Sequence, residues 1–461
     1  METLSRRKFL KLAAVAGAGA TLAACAAPTP QVIEKVVKET VTVKETVVAK
    51  VAPLTGELRA LVLKGPPVEP VGELLAAALT SKYPQAKIKF EYIVGDHAEG
   101  VYTKAAAGTL ADVFFSADLW VVPFAKQGVS LDLKPLADAD PEIDLKDIFP
   151  TMLGLGTFGG QIHMLPSALD VVTMYYNQTL FEKAGAELPK DTWTWDDFIA
   201  QCKKITALEK DKSGQPMYWG LSNATWNWWA TVYPWVAGYG GKILSEDRKK
   251  STWSDPKTLQ GLKTYSEMWT VHNIAQPLGL DVGGDAFQLG RAAVYCHIQG
   301  VRTGVRDNVK DKFQWDVQLM PKMPDGKHRT GMGTWGLSVY AKSKVTKLAY
   351  EFAKYMVTPA GQRLIAKKEL GVPLVKSVAN DPAWMEGLAT PPKNFMAYVK
   401  GADDAVLPVM DYPAECGSFY AGIVSQSYQS ALEAVLRGQK KAEDAFKEAD
   451  STIQRCLDSA K

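Results

Sequence analysis

The chain has 461 residues, 47% of them hydrophobic and 22% charged, which is the composition of a globular protein with length enough for two domains. Its formal charge of +3 comes from residues 1–24, where Arg6, Arg7, Lys8 and Lys11 stand against Glu2; four minus one is +3, so residues 25–461 sum to zero. No concentrated basic footprint remains, which excludes nucleic acid as a partner.

In chain order, Ser5-Arg6-Arg7-Lys8-Phe9-Leu10-Lys11 reads as a twin-arginine export signal. An Ala/Gly-rich apolar stretch follows from Leu12 to Leu22, too short to span a bilayer, where ~20 residues are needed. Leu22-Ala23-Ala24-Cys25 then resembles a bacterial lipobox, which makes residues 1–24 a signal peptide and Cys25 the lipidation site. Residues 25–54 form a lipidated tether: no aromatic occurs between Ala26 and Leu54, and the valine-rich repeats cannot bury enough surface to fold alone. The expected location is extracytoplasmic, lipid-anchored to the cell membrane or on its periplasmic face.

Beyond residue 55 the pattern alternates between strand and helix. Glu57–Leu63 predicts a strand, Leu74–Lys82 a helix, and the alternating Ile88, Phe90 and Tyr92 a second strand. A helical stretch near Val101–Ala107 precedes Val113-Phe114-Phe115, a buried strand. This rhythm predicts a largely parallel sheet covered by helices on both faces. Thr194 and Asp197 predict a capping box, with Trp195, Phe198, Ile199, Cys202 and Ile205 as the apolar stripe of the helix it starts. Ala442, Ala445, Phe446, Ala449, Ile453, Cys456 and Leu457 form a second stripe, and Gly438 stops the helix before it. Of the five cysteines, Cys25 is assigned to lipid; Cys202, Cys296, Cys416 and Cys456 allow three pairings if two bridges form, and the expectation is mostly buried free thiols.

Motifs of catalysis and of cofactor binding are weak. Gly154-Leu155-Gly156-Thr157-Phe158-Gly159 matches GxGxxG, but the residues around it predict a turn leading into a strand rather than the strand–turn–helix of a dinucleotide site. The five histidines are too far apart for metal-ligand spacing, so no metal and no cofactor is expected.

Several segments together resemble the family 1 extracellular solute-binding proteins of ABC importers, the maltose-binding-protein type. They are Ala111-Asp112-Val113-Phe114-Phe115 with Phe124–Gly128 and Leu131-Asp132-Leu133; Leu165-Pro166, Asp170 and Tyr175–Gly185; Ala286–Val294; Phe313–Pro321; and Gly333–Val339. The resemblance implies an α/β, two-lobed periplasmic-binding-protein-like fold (type II), each lobe a sheet flanked by helices and joined by hinge strands. The first crossing is expected near Leu169–Val172 and the second near Val317–Pro321. Lobe 1 is then residues 55–169 plus 322–372, and lobe 2 residues 170–321 plus 373–461. It further implies a monomeric, non-enzymatic receptor that captures a carbohydrate, delivers it to ABC permease transmembrane subunits and holds to the membrane by its lipid.

A sugar presents an apolar CH face and a ring of hydroxyls, so its site needs aromatic plates beside carboxylates or amides. The candidates are Asp118 and Trp120 after the Phe115 strand, and Asp170 at the first hinge. Trp226, Trp228 and Trp229 come from the densest aromatic cluster, Gln299 and Arg302 follow the Ala292–Cys296 strand, and Trp335 and Tyr412 complete the set. Trp193, Trp195, Trp269 and Trp315 are assigned to packing. Arg302 leaves room for an acidic ligand group; the alternatives are a glycerol phosphodiester, polyamine or chelated metal in the same receptor role, a lipoprotein carbohydrate-active enzyme such as a glycosidase or lyase, and an adhesin or sensor.

Overall fold

The computed structural model describes residues 54–407, 412–417 and 422–460. The export signal, Cys25 and the tether lie outside the described residues. The strands in chain order are β1 (Gly56–Leu61), β2 (Ala86–Glu91), β3 (Val113–Ala117), β4 (Thr157–Phe158), β5 (Gln161–Ile162), β6 (Leu165–Pro166), β7 (Asp170–Val171) and β8 (Thr173–Asn177). They continue as β9 (Trp219–Leu221), β10 (Ala292–His297), β11 (Trp315–Gln318), β12 (Thr330–Gly333), β13 (Trp335–Val339) and β14 (Ala405–Val406).

Three sheets organise the molecule. Lobe 1 carries the order β2-β1-β3-β13-β6, lobe 2 carries β11-β8-β10-β9, and β14-β12-β7 forms a small sheet between them. The sheets are mixed rather than largely parallel. β1 pairs in parallel with β2 and β3, but β13 runs antiparallel to β3 and β6, and β8 antiparallel to β10 and β11. In lobe 1 the reason is the crossover: β13 starts from the hinge opposite the end of β3, Trp335 facing Ala117, and so runs back along it.

The first change of sheet falls at β7–β8, from Asp170 to Thr173. The second falls later than Val317–Pro321: β11 is a lobe 2 strand, and Lys322 still bridges to Thr194. The crossing is β12–β13, through Thr334, where β12 pairs with β7 (Gly333 opposite Asp170) and β13 with β3 (Trp335 opposite Ala117). The third is later as well, since Ser377 donates to Asp147 in lobe 1, while Lys393 and Asn394 donate their backbone N–H groups to Asp316 in lobe 2. Hinge strands this short carry too little periodicity to be separated in sequence from the lobe strands beside them. At Gly331 a Cβ would meet the Ala230 carbonyl at 2.3 Å, so only glycine lets the helix Trp229–Gly238 lie against the hinge.

Helices form where the residues predicted them, with longer starts. Val68–Lys82 buries Val71, Leu75 and Leu79 against the lobe 1 sheet, and Trp195–Thr206 opens on the Thr194/Asp197 capping box and buries Phe198, Ile199, Cys202 and Ile205. Gly438 stops the helix Gly422–Leu436 at a φ of +67°. Gly154 and Gly156 end a short helix and Gly159 turns the β4–β5 hairpin, so the GxGxxG string has no helix after it. The cysteine expectation is corrected in part: Cys416 and Cys456 form a disulfide, while Cys202 and Cys296 are buried thiols. Spacing could not select this pair, because its members are 40 residues apart and meet only through packing of the C-terminal helix Ala442–Ser459. Among the described residues no helix is long and apolar enough to cross a membrane.

Candidate functional site

The strand directions aim several loops at one place. β3 ends at Ala117 beside the start of β13, β10 ends at His297 opposite Thr173 at the start of β8, and β9, parallel to β10, ends at Leu221. The loops after these strands therefore leave both sheets at their hinge edges, as ligand-binding loops of open α/β sheets do.

Asp118 starts the helix Asp118–Lys126, its own N–H bonding the Thr334 carbonyl at 3.1 Å. One carboxylate oxygen accepts from Leu119 N–H at 2.8 Å and the other from Thr334 N–H at 3.4 Å. Asp170, on β7, is buried and accepts from the Gln299 amide at 2.8 Å. Gly333 lies between the two acids: it pairs with Asp170 across the hinge sheet, and a Cβ on it would stand 3.2 Å from the Asp118 carboxylate.

Burial, and then the nearby charge of Asp170, push the Asp118 carboxyl up to about 7, against the lowering of its two backbone donors. Asp170 is pushed up to about 6, by burial, with Gln299 and Arg302 pulling the other way. A pair of half-satisfied carboxyls at this edge is suited to accept hydrogen bonds from ligand donors.

Aromatic rings flank the acids in lobe 1. Trp335 stacks on Phe115 with centroids 5.8 Å apart, and Trp120 packs on the same ring edge-on at 5.9 Å while stacking on His97 at 5.2 Å. Both tryptophans keep part of their surface exposed. In lobe 2, Trp228 lies 5.2 Å from His297, and Trp226 is held by Tyr265, whose hydroxyl donates to its carbonyl at 2.8 Å. Thr225 donates to the Cys296 carbonyl, tying this tryptophan loop to the end of β10. His297 is pushed down to about 4 by burial and so is a neutral ring at neutral pH.

Three candidates are enclosed by protein, two of them in the lobe 2 core. Trp229 and Tyr412 are buried in the lobe 2 core, the first at the start of a packed helix and the second among Trp253, Tyr233 and the disulfide-linked segment. Arg302 is 2% exposed and turns its guanidinium toward protein acceptors, Gln299 and the Glu369 carbonyl (2.7 Å). Sequence reading passed over His97, His297 and the backbone of Gly333–Thr334. A Gly-Thr-Trp string at a strand start is the one local sign of the last, and nothing marks the histidines. Trp193, Trp269 and Trp315 are buried, while Trp195 is partly exposed and packs on Trp235.

Residues 66–363 match the family described as bacterial extracellular solute-binding protein. The chain belongs to this family. Its members serve ABC transporters as binding proteins, and the probable ABC transporter-binding protein of Deinococcus radiodurans is 23% identical over 352 residues, 73% of this chain and 79% of that one. Among solved structures, the fold is shared with the substrate-binding protein Lmo0181 of Listeria monocytogenes in complex with cycloalternan (TM-score 0.70, 23% identity, 87% of this chain and 99% of that one). It is shared too with the sugar-binding protein MalE of Xanthomonas citri (TM-score 0.72, 18% identity, 87% and 98%). The fold is thus the two-lobed α/β architecture of the maltose-binding-protein type.

Proposed function

We propose that this protein captures a carbohydrate between its lobes, closes about the hinge and delivers the sugar to an ABC permease, held outside the cell by a lipid on Cys25. The observation that carries this is the convergence of Asp118, Asp170 and Gln299 at the hinge edge with partly exposed Trp120 and Trp335 beside them. Acids and an amide meet hydroxyls, and the indole faces meet CH surfaces. Trp226 and Trp228 supply the opposing wall from lobe 2. Sugar-binding relatives of the same fold support the ligand class. A ligand touching both lobes binds the closed form more tightly and shifts the population toward it by that difference. No bond is broken; the receptor carries its cargo unchanged.

A thermal-shift screen against mono-, di- and oligosaccharides, with glycerol phosphates and polyamines alongside, tests the ligand class. A ligand at ~100 times its dissociation constant stabilises by ~2.7 kcal/mol. Saccharide hits support the proposal; hits confined to phosphates or polyamines keep the receptor role and overturn the sugar. For the anchor, Cys25→Ala is expected to move the protein from the membrane fraction to the soluble one, and retention in the membrane would refute lipidation at Cys25.

A further inference from the structure

Arg302 is a buried cation that no carboxylate bonds directly among the described residues. One terminal nitrogen bonds both the side-chain oxygen of Gln299 and its carbonyl, the other bonds the Glu369 carbonyl at 2.7 Å, and Nε is buried without a partner among the described residues. Its guanidinium lies 5.8 Å from the Phe395 ring. Burying a charge is costly unless its donors are satisfied and its field is used. The nearest use lies one residue away. With its oxygen held by Arg302, the Gln299 amide can present only its NH2 to Asp170, which it meets at 2.8 Å.

The far end of this chain of bonds is in lobe 1. Glu369 follows the helix Pro359–Lys367, which is tied to lobe 1 through the Gln362 bond to the Ser167 carbonyl, and Glu369 itself sits at a φ of +58°. That left-handed backbone is disfavoured for a side chain-bearing residue, and here it turns the carbonyl toward Arg302. The Glu369 carboxylate meanwhile holds Arg306 at 3.1 Å and the Ala389 N–H at 2.9 Å.

We propose that Arg302 is a positioning residue, which locks the Gln299 amide onto Asp170 and anchors that pair to lobe 1 through the Glu369 carbonyl. This rests on the reading above only in giving Asp170 a ligand to meet. The lock also accounts for the direction of Arg302: both of its terminal nitrogens are engaged inside the protein.

The test is a titration of the Asp170 carboxyl by carbon NMR in the ligand-free protein, comparing the parent with Arg302→Met, Arg302→Lys, Gln299→Met and the Arg302→Met/Gln299→Met double variant. The ionisable groups around the pair are Asp118, which faces Asp170, and Tyr175, Tyr398 and Glu369, which surround Arg302. Losing Arg302 is expected to raise the Asp170 midpoint by roughly one pH unit, and by less when Gln299 is already gone. Arg302→Lys is the variant that preserves charge and fold; one ammonium cannot hold Gln299 and the Glu369 carbonyl in the same fork, so the midpoint is expected to rise here too. A lysine variant titrating like the parent, or an Arg302→Met shift of equal size with and without Gln299, would mean that the charge acts alone and would overturn the positioning role. Maltotetraose and the other saccharides of the screen separate the two proposals. Failure of every saccharide to bind leaves this cycle standing, whereas a bound saccharide with an unmoved Asp170 midpoint overturns the lock alone.

Discussion

Asp118 and Asp170 are the residues whose chemistry depends most on their surroundings. Both have folded-state midpoints raised above the ordinary aspartate value, to about 7 and about 6. Such groups favour the folded state when protonated, so their contribution is whole below about pH 4 and is lost as pH rises through 6 to 7. The Asp118→Asn/Asp170→Asn variant removes that dependence. Urea unfolding is expected to show the parent losing stability relative to the variant between pH 5 and 8, on the order of a few kcal/mol. A constant difference across that range would mean that neither acid is raised. At the same scale, Trp335→Ala removes an indole face while leaving Phe115 and β13 in place. Calorimetry with a saccharide found in the screen is expected to show affinity lower by roughly ten-fold or more, at an unchanged fold. Unaltered affinity would remove Trp335 from the site.

At the scale of elements, the helix Trp195–Thr206 shows how much a short string can specify. Thr194 accepts from the Asp197 N–H at 3.3 Å, and the Asp197 carboxylate accepts from the Thr194 N–H at 2.8 Å, so two end donors are satisfied by neighbours three residues apart. Thr194→Ala is expected to lower unfolding free energy by about 1 kcal/mol, read by urea denaturation, with little effect on ligand affinity because the cap bonds are exposed. The loop Ser222–Trp228 is the opposite case. Its placement depends on Thr225 reaching the Cys296 carbonyl, Tyr428 reaching the Asn227 carbonyl and Tyr265 reaching that of Trp226. Each of those donors or acceptors lies on a distant element, and no local pattern announces them.

Over the whole molecule, the Cys416–Cys456 disulfide ties the C-terminal helix to the segment that follows β14. A bridge closing 40 residues restricts the unfolded chain, an effect of about 3–4 kcal/mol in the chain-entropy account. Cys416→Ser/Cys456→Ser is expected to lose about that much in denaturant unfolding. A loss no greater than a few tenths of a kcal/mol would show that the bridge adds little to packing already in place. Oxidation of this pair is in keeping with a family of extracellular solute-binding proteins, whose surroundings permit disulfides.

The residues themselves determined the family, the alternation of strands and helices, the capped helix starts and the first hinge crossing, because each is written in neighbours a few positions apart or in motifs held in one order. They also placed Asp118, Trp120, Asp170, Gln299 and Trp335 among the candidates, since each follows or begins a recognisable strand. The tertiary structure alone decided which strands reverse, that the second crossing waits until Thr334, and which cysteines pair. It also decided that Trp229 and Tyr412 are core and that Arg302 bonds Gln299 and the Glu369 carbonyl. These outcomes depend on contacts between segments tens to hundreds of residues apart. Side-chain direction at such places is set by packing across the lobes, which no local period or spacing encodes.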